Sequence, residues 1–137
     1  MISAAVLCMA LNIYHEARGE PVVGQVAVAQ SVLNRIADNR YPNTVCGVVK
    51  QAKYNPWDSV TPIRNQCQYS WFCDGKSDTP KDDKAMLEAT IVAQFVLSGS
   101  SRDVTEGATH YHADYVYPYW ADSLIPTIKI GSHIYYR

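Results

Sequence analysis

The sequence predicts an α+β fold, mainly helical, with a small antiparallel β-sheet in its C-terminal third. Three observations carry that expectation. Apolar residues recur at helical spacing through the N-terminal part, and each such run has start and stop signals. The stretches "ATHYHADYV" and "TIKIGSHIYYR" near the end are instead β-branched and aromatic. Helices first and short strands last is the pattern of an α+β domain. The 137 residues suffice for one domain with a proper core, assigned to residues 1–137.

Taken in order, the first helix should run from about Ser3 to Ala17, with Ser3 as N-cap and Gly19 as the stop. Pro21 suits the first position of a second helix reaching to about Asn39. Its Val22, Val26, Ala29, Leu33 and Ile36 recur at core-facing spacing. "RYPNTVCGVVKQ" reads as a turn and a short helix capped by Asn43 or Thr44. Residues 53 to 80, rich in Pro, Asn, Asp, Gln and Ser, read as a long irregular loop of the kind that often carries function. The next helix has Thr79 as cap, Pro80 at its first position, Asp82 and Asp83 in its first turn and Gly99 beyond its end. Its Met86, Leu87, Ile91, Phe95 and Val96 are expected to face the core. Gly131-Ser132 marks a turn or bulge between the last strands.

Composition narrows the function. Hydrophobic residues make up 47 % and charged residues 18 %, which is globular and not disordered. A formal charge of −1 gives no electrostatic case for binding nucleic acid. No apolar run reaches the ~18–20 residues that span a bilayer, so no membrane insertion is expected. The apolar N-terminus lacks the basic start and cleavage break of a signal peptide, which implies synthesis in the cytoplasm. Ten Tyr and three Trp against two Phe tilt the surface toward stacking on amphipathic ligands such as sugars.

Cys8 reads as a small core residue of the first helix. Cys46, Cys67 and Cys73 lie in or beside loops, where one disulfide is expected and its pairing stays open. C-x5-C with His110 and His112 is not a zinc spacing, so no metal is expected.

The stretch "YHEARGE", residues 14–20, ends the first apolar run. As a zinc-protease signature it fails, because Gly19 stands where the second His of H-E-x-x-H must be. Glu16 and Glu20 are then either solvated charges at a helix end or working carboxyl groups. The run before Tyr14 is apolar enough for a central helix, and a carboxyl at its mouth tends toward a raised pKa. That suits it to protonate a glycosidic oxygen.

"NIYHEARGEPVVGQVAVAQSVLNRI", "YPNTVCGVV", "QCQYSWFCDGK" and "GATHYHA" stand in the order of the SleB/CwlJ-like cell wall hydrolases, the spore-cortex-lytic enzymes. With "IGSHIYY" the chain resembles that family over nearly its whole length. The resemblance implies a lysozyme-like fold acting on bacterial peptidoglycan, with Glu16 as catalytic acid and no cofactor. It implies lytic transglycosylation between N-acetylmuramic acid and N-acetylglucosamine, Glu16 first giving a proton and then taking one from the muramic acid C6 hydroxyl. Glu20, one turn on, would sit beside Glu16 and not across a sugar. It reads as structural, in an ion pair with Arg18 or simply as the acidic residue before helix two.

Further substrate contacts are expected from Gln68, Tyr69 and Ser70 in the loop "CQYSWFCDG", whose cysteines depart from the spore enzymes' pattern. Tyr111 and His112 in "THYHA" and Gln25 on helix two complete the set, while Asn34 reads equally well as a structural amide. On a strand, His110 shares a face with His112 and Tyr111 points the other way. A monomeric endolysin of phage type, made in the cytoplasm and bacteriolytic once the membrane is breached, fits this pattern. The rivals are muramidase hydrolysis on the same fold, an inactive peptidoglycan-binding module, and an amidase.

Overall fold

The computed structural model describes residues 2–137. Four helices come first or lie central in the chain: α1 (Ala4–Ala17), α2 (Val22–Ile36), α3 (Val45–Val49) and α4 (Asp83–Leu97). Five strands complete the fold: β1 (Ala52–Asn55), β2 (Asp58–Cys67), β3 (His110–Ala113), β4 (Pro126–Ile130) and β5 (His133–Tyr136). Short 3₁₀ turns occupy Ser70–Cys73 and Tyr119–Ser123. The α+β expectation therefore holds, and the C-terminal sheet is antiparallel in the order β3-β5-β4.

Helix starts follow local chemistry. The Ser3 hydroxyl accepts from the Val6 amide at 3.2 Å, and the Thr44 hydroxyl accepts from Gly47 at 3.0 Å. α4 begins later than expected. Asp82, not Thr79, caps it by accepting from the Ala85 amide at 3.0 Å. Its buried face is also different: Ala89, Val92, Ala93 and Val96 are buried, whereas Leu87, Ile91 and Phe95 are exposed and Met86 is partly buried. Two alanines on the inner face let α4 lie close against α1, where larger side chains would hold the backbones apart. Val22 at the start of α2 is likewise exposed, while Val26 and Ala29 are buried as expected.

Residues 53 to 80 are not a continuous loop. Ala52–Asn55 and Asp58–Cys67 form a two-stranded antiparallel hairpin, with Tyr54 opposite Pro62 and Asn55 opposite Asp58. Both strands are edges and the register is irregular, which is how Pro62 and the polar residues are tolerated.

The cysteines also differ from expectation. Cys8 is bonded to Cys46, tying α1 to α3, and Cys67 is bonded to Cys73. Two bridges replace the single one expected because packing of α3 on α1, invisible in the sequence, brings Cys8 to Cys46.

Most buried side chains form one cluster that includes Met9 and Ile13 of α1, Val32 of α2, Val48 and Val49 of α3, and Val92 and Val96 of α4. A smaller cluster joins Ala27 of α2 to Ala108, Ile130 and Tyr135. Tyr111 packs against both. α2 is thus buried on two sides, and the seam between helices and sheet runs beside the end of α1.

Candidate active site

Each residue of "YHEARGE" has a distinct place at that seam. The Tyr14 hydroxyl accepts from the amides of Lys81 and Asp82 at 3.2 Å each, and Arg18 donates to it while lying over the ring. His15 stacks on Trp71 with centroids 4.6 Å apart, and its Nε2 lies 3.0 Å from the Asp78 carbonyl. The carbonyl only accepts, so Nε2 donates. Trp71 in turn donates to Asn12 Oδ1 at 2.9 Å, inside α1. These contacts lock the last turn of α1 and aim Glu16 at the seam.

Glu20 is structural, but not through Arg18. Its Oε1 accepts from the Ser132 amide at 2.7 Å and its Oε2 from the Ser132 hydroxyl at 3.1 Å. It pins the β4–β5 turn to the α1–α2 junction. At Gly131, φ is +57°, and a Cβ there would lie 2.5 Å from Glu20 Oε1. Both favour glycine at this turn.

Glu16 lines a cavity of about 140 Å³ together with Arg35, Gln68, Tyr69, His110, Tyr111 and Trp120. The Tyr111 hydroxyl donates to Glu16 Oε1. Burial pushes the Glu16 carboxyl above its ordinary range, only partly opposed by the Tyr111 hydrogen bond and by the positive charge of His15 and Arg35. Tyr111, buried and beside Glu16, is held well above the usual phenol range and stays a neutral donor. Its ring is fixed by His133 at 4.9 Å and Tyr135 at 5.3 Å. With Oε1 occupied by a donor, the proton of a neutral Glu16 sits on Oε2. A carboxyl held in this way can serve as a general acid in a fixed orientation.

The structure thus brings together Glu16, Gln68, Tyr69 and Tyr111 of the residues expected in the site. It does not bring the others. Ser70 is exposed at the start of its 3₁₀ turn and does not line the cavity. His112 is buried in an aromatic cluster, 5.7 Å from Trp120 and 5.2 Å from Tyr136. Both its nitrogens are used: Nδ1 donates to the Ala113 carbonyl and Nε2 accepts from the Tyr136 hydroxyl, each at 2.8 Å. Gln25 is buried and donates to the Glu20 carbonyl and to Glu88, lining a separate cavity of about 280 Å³ on the other side of α1. Asn34 is a structural amide, donating to Asp103, Thr105 and the Ala108 carbonyl.

Three cavity residues were not anticipated. His110 takes the place expected of His112, and burial with Arg35 and Arg40 nearby pulls its pKa down to about 4. It is neutral at physiological pH. Trp120 reaches the cavity from an irregular segment with no periodic signal. Arg35 had a signal: it continues the buried stripe of Val28 and Val32 at helical spacing, where a charged residue is out of place.

The sequence profile of the cell wall hydrolases matches residues 19–136. A spore cortex-lytic enzyme of Halalkalibacterium halodurans is 34 % identical over 131 residues, which is 93 % of this chain and 33 % of the relative. The spore cortex-lytic enzyme of Bacillus cereus is 56 % identical over 41 residues, 30 % of this chain and 16 % of its own. The chain therefore spans about a third or less of these relatives. Among solved structures, the catalytic domain of the germination-specific lytic transglycosylase SleB from Bacillus anthracis superposes with a TM-score of 0.69 at 29 % identity. It covers 100 % of this chain and 97 % of that one. The SleB catalytic domain of Bacillus cereus gives 0.65 at 27 % identity, covering 100 % and 93 %. The matched family segment begins at Gly19, just after Glu16, while both superpositions include Glu16.

Proposed function

Because the chain belongs to the cell wall hydrolase family, we propose that it is a lytic transglycosylase of bacterial peptidoglycan with Glu16 as its one acid–base group. The bond cleaved joins N-acetylmuramic acid to N-acetylglucosamine. Glu16 gives its proton to the glycosidic oxygen as the C1–O bond breaks. The resulting carboxylate takes the proton of the muramic acid C6 hydroxyl, whose oxygen closes on C1. The products are a free 4-hydroxyl on N-acetylglucosamine and a 1,6-anhydro end. No water is consumed, and Glu16 ends protonated again.

The observation that carries this reading is a single enclosed carboxyl, raised by burial and oriented by Tyr111. No second carboxylate among the described residues lines its cavity. Hydrolysis by two carboxyl groups would place the second roughly 5–5.5 Å away for retention, or roughly 6.5–9.5 Å away for inversion. Superposition on a lytic transglycosylase catalytic domain supports the same chemistry. The test is Glu16→Gln on purified sacculi. It should bind them and release no soluble fragments; release at the wild-type rate would overturn the assignment.

The proposal extends to context. The protein would work as a monomer in the wall, reached from the cytoplasm once the membrane is breached, in the manner of an endolysin. Its two disulfides suit an oxidising site of action. Expressed in bacteria without an export signal, it should lyse cells only after membrane permeabilisation. Lysis without permeabilisation would contradict that route.

A further inference from the structure

Cys67 and Cys73 are bonded to each other, and the loop they close serves the active site. Gln68 and Tyr69 line the cavity of Glu16, while Trp71 stacks on His15 and donates to Asn12. The backbone does little to hold the loop there. Among the described residues it bonds another segment once between the cysteines, where the Gln68 amide donates to the Gln51 carbonyl at 2.9 Å. The Tyr69 hydroxyl is buried without a hydrogen-bond partner, which is costly. Burial of the Tyr69 and Trp71 rings favours the loop as it stands, and the unpaired hydroxyl opposes it. The covalent bridge tips the balance by denying the chain its open states.

That bridge is within reach of a thiol. Cys67 is partly exposed and lines an open cavity of about 310 Å³, while Cys73, itself buried, lines a second of about 260 Å³. Lys53 stands in the first, Arg64 and Lys76 in the second, and no carboxylate lines either. Asp74, next to Cys73 in the chain, accepts from the Lys76 amide at 2.9 Å. Positive charge beside a thiol favours its thiolate, the form that attacks and leaves in disulfide exchange. The other bridge has a different setting: Cys8 belongs to the main core cluster, and Cys46 packs against it. Exposed bridges are the labile ones.

We propose that Cys67 and Cys73 form a redox modification site that completes the active-site cavity when closed and dismantles it when open. Closing removes two electrons and two protons from the two thiols. The acceptor is a protein or small-molecule disulfide, which takes them and leaves as two thiols. One cysteine thiolate attacks it to give a mixed disulfide, and the second then attacks the first sulfur and expels the remaining thiol. Opening runs the same exchange backwards with a thiol reductant. Once reduced, the loop is free to withdraw Gln68 and Tyr69 from the cavity wall and Trp71 from His15, the neighbour of Glu16. This rests on the glycan-cleaving function and the cytoplasmic route proposed above. It adds that the enzyme is idle in a reducing compartment and works in an oxidising one.

The test uses wild type and Glu16→Gln, each held in glutathione buffers from fully oxidised to fully reduced. Alkylation and peptide mass spectrometry give the state of each bridge in every sample. Cys67–Cys73 should open at a less reducing poise than Cys8–Cys46. Fragment release by the wild type should fall roughly 10- to 100-fold with it, mostly through KM. Binding of Glu16→Gln to sacculi should weaken about tenfold over the same range. Glutathione disulfide should restore both. Cys67→Ser with Cys73→Ser should match the reduced protein and ignore the buffer. Release and binding unchanged with Cys67–Cys73 open, or a loss that follows Cys8–Cys46 instead, would overturn the switch. Oxidised wild type that releases no anhydro fragments, beside redox-dependent binding, would sink the transglycosylase reading and leave the switch standing.

Discussion

The hydroxyl of Tyr111 on β3 donates to the carboxyl of Glu16 at the end of α1, joining two elements 95 residues apart in sequence. That bond favours the ionised carboxyl while burial favours the neutral one, and burial prevails. Removing the hydroxyl therefore has two separable effects.

In Tyr111→Phe, loss of a bond that favours the carboxylate should raise the Glu16 pKa further. A general acid works while protonated, so the alkaline limb of the pH–rate profile should move to higher pH. Loss of orientation should lower kcat roughly 10- to 100-fold. A pH profile of glycan release by the folded variant checks both. An alkaline limb that moves down, or stays, would contradict the electrostatic account.

Glu16→Gln should stabilise the protein at neutral pH. The folded-state pKa of Glu16 lies above the ordinary 4.5, so the folded protein favours the neutral form. Its contribution is fully present below 4.5 and is lost as pH rises through the raised value. Glutamine keeps an acceptor for Tyr111 without the buried charge. Melting temperatures should favour the variant at pH 7 and converge below pH 4.5. A variant that is less stable at pH 7 would argue against a desolvated carboxyl.

Glu20→Ala separates the two glutamates of "YHEARGE". It removes both acceptors of Ser132 and should cost about 1–3 kcal/mol in denaturant unfolding. The activity of the folded protein should stay within a few-fold of wild type. A loss comparable to that of Glu16→Gln would place Glu20 in the chemistry.

The two disulfides should differ in what they protect. The Cys8–Cys46 bridge closes a separation of 38 residues and the Cys67–Cys73 bridge one of 6. Loop-closure entropy then assigns about 4 kcal/mol of stability to the first and about 2 kcal/mol to the second. Gln68 and Tyr69 sit inside the short loop, so Cys67→Ser with Cys73→Ser should mainly raise KM. Cys8→Ala with Cys46→Ala should mainly lower the melting temperature. The reverse pattern would show that the short loop does not shape the cavity.

How far the sequence reached depends on what kind of signal each feature leaves. The starts of α1 and α3 and the C-terminal strands follow from local chemistry at Ser3, Thr44 and Gly131 and are legible, whereas the start of α4 at Asp82 and the end of α2 at Ile36 are not. The β1–β2 hairpin was not, because Pro62 and a run of Asp, Asn and Gln describe an exposed edge as well as they describe a loop. The inner face of α4 is not legible, because Leu87, Ile91 and Phe95 are more hydrophobic than the alanines that close packing requires. Glu16, Gln68, Tyr69 and Tyr111 were reached through sequence blocks. His112 and His110 share a strand face, and only the packing of Trp120 and Tyr136 decides which of them meets the cavity. Arg35 was readable as a cation on an apolar stripe, although what it faces needed the third dimension.

The central claim is that one carboxyl breaks the glycan without water, and the products record it. The measurement is mass spectrometry of the soluble fragments released from purified peptidoglycan by wild type and by Glu16→Gln. Fragments ending in 1,6-anhydro-N-acetylmuramic acid, one water lighter than their reducing counterparts, should come from the wild type alone. Reducing ends from the wild type, or anhydro fragments surviving in Glu16→Gln, would contradict the account.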